Sequence, residues 1–252
     1  MTLEFDMPAK GSDMTHPLDQ FERIYIINLR TRADRRAEIA EQFKRIGLAM
    51  SAANVCLYEA VRPIGAGAFP SVGAHGCFMS HLGVLRNAAV AGFKRILILE
   101  DDLNFAVDFM ARMPLVLAQA DAAGWSIFYG GHEIINQPSE ASTKVGCSFV
   151  DPNIAVQTTH FLGMQGIAIE AAANYLGAML AREPGHKDGG PMHVDGAYSW
   201  FRRANPQLHT ITVLPVLGYQ RASRTDIHEQ RWFDKVLGVR QVVAGLRRAR
   251  NR

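Results

Sequence analysis

Three consecutive carboxylates, Glu100, Asp101 and Asp102, are the residues of this sequence best suited to chemistry. They follow RILIL at residues 95–99, an apolar run typical of a parallel strand covered on both faces. In an open α/β sheet, ligands bind beyond the carboxyl ends of the strands. Since residues two apart on a strand share a face, we expect Glu100 and Asp102 to converge and Asp101 to face away. The pair is a ligand set for a hard cation such as Mn²⁺ or Mg²⁺, and a solvated acidic turn is the structural alternative.

A second polar group follows the first predicted strand, FERIYIINL at residues 21–29. Asn28 lies near its carboxyl end, and Arg32 and Arg35 lie at the start of the next predicted helix, for which Asp34 is the expected N-cap. A helix N-terminus favours anions, so the two arginines are candidates for binding a phosphate or diphosphate. Alternatively, they are surface charges that pair with acids of the same helix.

Two further sites carry polar groups next to predicted helices. Ser80 and His81 end the segment GAHGCFMSH, before a predicted helix at residues 82–92. They either hydrogen-bond a sugar or phosphate or act as a cap and a partly buried histidine. His75 and His81 are six residues apart, which is not a helical metal-ligand spacing. Asp195 begins a later helix, as a general base or as an N-cap.

Strands and helices alternate along the chain, which predicts an α/β fold with a mostly parallel sheet. Residues 106–120 are predicted to form a helix that buries every third or fourth side chain. The segment GGHE at residues 130–133 is expected to be a tight loop, and residues 137–151 a mobile loop for gating or acceptor contact. Further strands are predicted at residues 49–61, 125–129, 163–169 and 211–216.

Length and composition predict one globular domain. The chain has 252 residues, of which 48% are hydrophobic and 20% charged. We expect a loose arm at residues 1–20, a domain at residues 21–230 and a basic helix at residues 231–252. No spanning segment or secretory signal is evident, so a cytoplasmic location is expected. The three cysteines lack metal-knuckle spacing and are expected to be buried thiols.

The C-terminal segment is strongly basic. Residues 221–252 contain nine Lys or Arg against three acids. Such a segment either approaches anionic lipid head groups or a phosphorylated acceptor, which allows a location peripheral to a membrane, or forms a solvated helix face. The motifs of serine hydrolases and P-loop kinases are absent from the sequence, as are the patterns of nucleic-acid binding.

Four separated blocks resemble glycosyltransferase family 25, the group of bacterial lipooligosaccharide galactosyltransferases and their procollagen-modifying relatives. The first matches the motif INLxxRxDR through Asn28, Leu29, Arg32 and Arg35. The others are GCxxSH at residues 76–81, LEDD at residues 99–102 and YQRASRTDI at residues 219–227. Departures from the family pattern are Arg30, Ala33 and Ala74.

The resemblance implies a GT-A type fold, a Rossmann-like α/β sandwich that binds a nucleotide sugar through Mn²⁺ or Mg²⁺ and inverts the anomeric carbon. The expected donor is UDP-galactose, and the expected acceptor is a lipopolysaccharide-type or other glycan. Asp195 is the expected base, by position. Expected metal ligands are Glu100, Asp102 and His228, with Asp226 as an alternative late ligand. Expected donor-binding residues are Asn28, Leu29, Arg32, Arg35, Ser80, His81 and Asp101. Two alternatives remain open: a non-catalytic nucleotide-sugar or glycan binding module, and a metal-dependent phosphohydrolase.

Overall fold

The computed structural model describes residues 16–134 and 146–221. This part of the chain folds into two sheets and five α-helices. None of the helices in these ranges is long and apolar enough to cross a membrane.

The strands are short runs rich in β-branched, aromatic and other apolar residues, which pack well on a pleated surface. In chain order they are β1 (Arg23–Asn28), β2 (Val55–Glu59), β3 (Arg95–Glu100), β4 (Leu103–Phe105), β5 (Ile127–Ile134), β6 (Gly146–Phe149), β7 (Val156–Gln165), β8 (Thr210–Leu214) and β9 (Gly218–Gln220).

The main sheet has seven strands in the order β2-β1-β3-β7-β5-β8-β6. Strands β2, β1, β3, β5 and β8 run in one direction, and β7 and β6 run in the other. The sheet is therefore mixed but mostly parallel, as predicted. Strands β4 and β9 form a separate antiparallel pair beyond the end of β3.

Helices cover both faces of the main sheet. They are α1 (Ala33–Arg45), α2 (Val72–Ala91), α3 (Phe109–Ala123), α4 (Ile167–Met179) and α5 (Val194–Ala204). One apolar core joins the sheet to α1 and α3, and a second joins it to α2, α4 and α5. This arrangement confirms the Rossmann-like sandwich of the GT-A type.

Two helix starts differ from the sequence predictions. Helix α1 has Arg32 as its N-cap, so Asp34 lies in the first turn and is not the cap. Helix α2 begins ten residues before the predicted start, because the Ser71 side chain accepts a hydrogen bond from the Ala74 backbone N–H. Therefore the segment GAHGCFMSH is helical, and four-residue spacing within it defines a face.

Some segments predicted as loops are ordered as strands or helices. Residues 130–133 continue β5, and β6 lies within the predicted mobile loop, of which residues 137–145 lie outside the described ranges. Strand β7 ends at Gln165 and starts earlier than predicted. In the predicted arm, Pro17–Gln20 forms a 3-10 helix with Leu18 buried, whereas residues 1–15 lie outside the described part.

Candidate functional site

The carboxyl ends of β1 and β3 lie side by side, because Ile27 pairs with Glu100 in parallel register. Asn28, the last residue of β1, therefore stands beside the carboxylates that follow β3. A short turn, in which the Arg32 backbone N–H donates to the Leu29 carbonyl, leads from β1 into α1. This edge of the sheet collects the polar groups, as expected for a ligand crevice.

Asp101 is the centre of a buried polar network. Its Oδ1 accepts a hydrogen bond from Arg35 Nη1 at 2.9 Å, and its Oδ2 accepts one from Asn28 Nδ2 at 2.8 Å. Burial raises the pKa of Asp101, although Arg35 and Asn28 oppose that rise. The expectation that Asp101 faces away from the site is wrong. Strand β3 ends at Glu100, so the alternation of faces does not extend to the next residue.

Asp102 is only 3% exposed, and its carboxylate is incompletely satisfied. Its Oδ2 accepts a hydrogen bond from Gln220 Nε2 at 3.3 Å and lies 3.8 Å from Arg35 Nη1. Within residues 16–134 and 146–221, no hydrogen bond reaches its buried Oδ1. Burial, together with the nearby charge of Glu100, raises the pKa of Asp102 to about 7 although Arg35 opposes the shift. A solvated acidic turn does not describe this residue.

The pairing of β4 with β9 attaches the later chain to the acidic segment. Leu103 pairs with Gln220, and the Arg221 backbone N–H donates to the Asp102 carbonyl at 2.7 Å. The Arg221 guanidinium also forms an ion pair with Glu38 of α1. Strand β9 and Arg221 therefore hold the backbone at Asp102 and Leu103 in place next to α1.

The Glu100 side chain points toward helix α2, which covers one face of the main sheet, whereas Arg35 belongs to α1, which covers the other face. Glu100 Oε1 accepts a hydrogen bond from Thr159 Oγ1 of β7 at 2.8 Å and lies 3.5 Å from His81 Nε2. Burial alone would raise the pKa of Glu100, but the contacts with His81 and Thr159 outweigh it and lower the pKa. Glu100 is therefore held as a carboxylate at the junction of β3, β7 and α2.

Helix α2 places Cys77 and His81 next to Glu100. His81 is 0% exposed, and its Nδ1 lies 3.2 Å from the hydroxyl of Tyr198 on α5. Burial raises the pKa of the Cys77 thiol well above its ordinary value, and the charges of Glu100 and Asp195 add to the rise. The sulfur is therefore a neutral thiol when no cation is beside it.

Asp195 lies in the first turn of α5 and is half-buried. His193 is the N-cap of that helix, and the Asp195 carboxylate accepts a hydrogen bond from the Gly196 backbone N–H at 2.8 Å. The N-cap position of α5 is thus occupied by His193, and Asp195 lies two residues further along the chain. The capping alternative for Asp195 is therefore wrong.

The remaining predicted site residues differ in their access to a ligand. Ser80 is fully buried, and its hydroxyl donates to the Gly76 carbonyl and accepts from the Val61 backbone N–H. It cannot contact a sugar or phosphate in this conformation. Arg32 is partly exposed at the start of α1 and forms an ion pair with Asp34 at 2.8 Å. His228 and Asp226 lie outside the described residues.

The carboxylates fit a hard divalent cation. Asp102 supplies a buried oxygen to which no described residue donates a hydrogen bond, and the charge of Glu100 contributes to the raised pKa of Asp102. Oxygen donors of this kind suit Mn²⁺ or Mg²⁺, and an unsatisfied buried carboxylate is costly without a partner. Asp102 shares Arg35 with Asp101, whereas Glu100 contacts His81 and Thr159, and the assignment of Glu100 and Asp102 as metal ligands stays a prediction.

Three contributors to the site were not identified from the sequence. Thr159 was missed because β7 was predicted to start too late, and Gln220 because β9 was predicted as a loop. Tyr198 lies four residues after Val194 on α5, and this spacing was the available signal for an inward-facing side chain.

Comparison with known proteins identifies the family. The model of "Glycosyltransferase family 25 (LPS biosynthesis protein)" matches residues 21–161, which is more than half of the chain. The chain belongs to glycosyltransferase family 25. The matched region contains β1, α1, α2, β3 and most of β7, and therefore most of the site.

Similar proteins include family 25 members of animals. The chain is 24% identical to the human inactive glycosyltransferase 25 family member 3, over 49% of this chain and 24% of that protein. It is 26% identical to a family member of Drosophila melanogaster, over 63% of this chain and 29% of that protein. The chain therefore spans less than a third of the length of these relatives. A solved glycosyltransferase involved in glycosylation of the major capsid of PBCV-1 is 12% identical, with a TM-score of 0.45, over 80% of this chain and 95% of that one.

Proposed function

We propose that this family 25 protein is a metal-dependent, inverting glycosyltransferase that transfers galactose from UDP-galactose to a lipopolysaccharide-type glycan. The observation that carries the proposal is the incompletely satisfied carboxylate of Asp102, beside Glu100 at the carboxyl end of β3. The lipopolysaccharide-type acceptor is supported by the description of the matching family.

Glu100 and Asp102 would hold the cation, with His228 as a late ligand. Bound Mn²⁺ or Mg²⁺ would neutralise charge on the donor diphosphate as the nucleotide leaves. Arg35 keeps Asp101 fixed behind these ligands, through the hydrogen bond of 2.9 Å. Arg32, at the N-terminus of α1, is the guanidinium with side-chain exposure suited to the diphosphate.

Inversion in one displacement requires a base that takes the proton of the acceptor hydroxyl. Asp195 is the proposed base, because it is half-buried at the start of α5, the helix whose Tyr198 hydroxyl lies 3.2 Å from His81 Nδ1.

The test is Mn²⁺-dependent release of UDP from a panel of UDP-sugars, supplied with a lipopolysaccharide-type acceptor. We expect release from UDP-galactose by the wild type and loss of release in Asp102→Asn. Asp121→Asn is the matched control, because Asp121 contacts Arg95 at the opposite end of β3. Full activity of Asp102→Asn would refute the metal role.

The same experiment separates the alternatives. A nucleotide-sugar binding module would bind UDP-galactose in the presence of Mn²⁺ without forming product. A phosphohydrolase would release phosphate in the absence of any acceptor. A glycosyltransferase releases UDP in proportion to glycosylated product.

The basic segment at residues 221–252 supports a peripheral membrane location, since lipid-linked acceptors lie at anionic surfaces. Co-sedimentation with anionic vesicles should weaken when the chain is truncated before Arg240. Unchanged binding would eliminate the membrane role of this segment.

A further inference from the structure

Three potential ligand atoms of different chemistry meet at the end of β3. They are the Cys77 sulfur, a ring nitrogen of His81 and a carboxylate oxygen of Glu100, all within 4.8 Å of one another. In a tetrahedral site with bonds of about 2.0–2.3 Å, ligand atoms lie roughly 3.3–3.8 Å apart. The separation of 3.5 Å between His81 Nε2 and Glu100 Oε1 already has this value.

The backbone fixes two of these groups on one surface. Cys77 and His81 are four residues apart on α2, so their side chains lie one above the other on the same face. Glu100 approaches that face from the last position of β3. A helix and a strand of the sandwich therefore present the ligands, and a mobile loop is not needed to assemble them.

The ring of His81 is oriented as it is in metal sites. Its Nδ1 lies 3.2 Å from the Tyr198 hydroxyl, which leaves Nε2 directed toward Glu100. His81 is completely buried, yet Nε2 forms no hydrogen bond with any residue of the described ranges. The contact of Nε2 with Glu100 Oε1, at 3.5 Å, is long for a hydrogen bond, so a cation between these two atoms would satisfy both groups. Thr159 Oγ1 donates a hydrogen bond to the Glu100 carboxylate, just as the Tyr198 hydroxyl contacts the His81 ring. Metal ligands typically have such hydrogen-bond partners behind them.

We propose that Cys77, His81 and Glu100 bind a borderline-soft transition-metal ion, of which Zn²⁺ is the representative. Sulfur, imidazole nitrogen and carboxylate oxygen are its three common ligand types, and three protein ligands leave a fourth position open. This set differs from the all-oxygen pair of Glu100 and Asp102, which suits Mn²⁺ or Mg²⁺. The proposal does not depend on sugar transfer, because neither its ligands nor its test involves donor or acceptor.

Sharing of Glu100 has one functional consequence, which rests on the proposed function. An ion held by Cys77 and His81 would also be coordinated by Glu100, and Glu100 is one of the proposed ligands of Mn²⁺. Zn²⁺ is therefore expected to inhibit Mn²⁺-dependent transfer, and this inhibition should weaken in Cys77→Ser.

The test is titration of the full chain with Co²⁺, a spectroscopic substitute for Zn²⁺, in the absence of nucleotide. We expect a thiolate-to-cobalt charge-transfer band, which added Zn²⁺ removes. Cys77→Ser should abolish the band, and His81→Gln should weaken Co²⁺ binding at least tenfold. Tyr198→Phe should weaken it about tenfold, which is the usual effect of losing an outer partner of a ligating histidine.

Two controls make the assignment specific. Cys147→Ser removes a partly buried thiol from β6 and should leave the band intact. Asp102→Asn should also leave it intact, because Asp102 is not one of the three ligands. Circular dichroism of each variant checks that the fold is retained.

A wild-type protein that gives no thiolate-to-cobalt band would overturn the proposal, even if Mn²⁺-dependent sugar transfer were observed. Persistence of the band in a folded Cys77→Ser protein would also overturn it. Conversely, a band that is abolished in Cys77→Ser, weakened in His81→Gln and retained in Cys147→Ser would support the site even if no sugar were transferred.

Discussion

Replacement of Arg35 by Met removes the cation that compensates two buried carboxylates. Arg35 Nη1 lies 2.9 Å from Asp101 Oδ1 and 3.8 Å from Asp102 Oδ2. The side chains of the three residues are 10%, 8% and 4% exposed, so water cannot replace the guanidinium. Removal of one partner of a buried ion pair costs about 3–5 kcal/mol, because the remaining charge stays buried. A single charge pair at 4 Å contributes about 4 kcal/mol at an effective dielectric constant of 20, which is consistent with this range.

Urea unfolding at pH 7 measures the effect. We expect Arg35→Met to lower the free energy of unfolding by about 3–5 kcal/mol. Arg45→Met, the same change at an exposed position of the same helix, should alter it by less than about 0.5 kcal/mol. In a protein that already carries Asp101→Asn, the decrease in unfolding free energy caused by Arg35→Met should be smaller by about 1–3 kcal/mol, since one of the two buried negative charges is then absent. A loss below about 1 kcal/mol, as for an exposed pair, would refute the reasoning.

The remaining predictions concern β5 and β7. Thr159→Val leaves Glu100 without its hydroxyl donor and should cost about 1–3 kcal/mol in urea unfolding, whereas Thr159→Ser should cost less; equal losses would contradict the hydrogen-bond role. Gly131→Ala introduces a Cβ only 2.3 Å from His160 Nε2 and should lower the melting temperature, and an unchanged value would show that β5 can shift. Burial lowers the pKa of His132 to about 4, so the unfolded chain, with a histidine pKa of about 6.5, binds the proton more readily. The stability that His132 contributes should therefore be complete above pH 6.5 and lost progressively between pH 6.5 and 4, by up to about 3 kcal/mol. His132→Gln should flatten this part of the stability profile, and an unchanged slope would contradict the burial argument.

The sequence predicts the central part of the fold because the pattern and the packing agree there. Residues 95–99 form a buried strand that ends in acids, and the inward positions of α3 are those predicted from its periodicity. The motif residues at the ends of β1 and β3 meet because parallel strands bring their carboxyl ends to one edge. The location of the site could therefore be predicted without coordinates.

The detailed geometry could not be predicted, because it depends on contacts between distant segments. Gly130 and Gly131 suggested a loop, but they are strand glycines that allow Phe161 and His160 of β7 to approach closely. Asp101 was expected to face away because strand alternation was extended one residue too far. Cys77 and His81 were not recognised as neighbours because the two glycines of their segment concealed a helix that starts at a serine cap.

Calorimetric titration with UDP-galactose, with and without Mn²⁺, tests the central claim most directly, because it needs no acceptor. The account predicts that wild-type protein binds the donor only with Mn²⁺, that Asp102→Asn loses this binding, and that Asp121→Asn keeps it. Donor binding that is equally strong without the metal, or in Asp102→Asn, would contradict the assignment of the acidic end of β3 as the donor site.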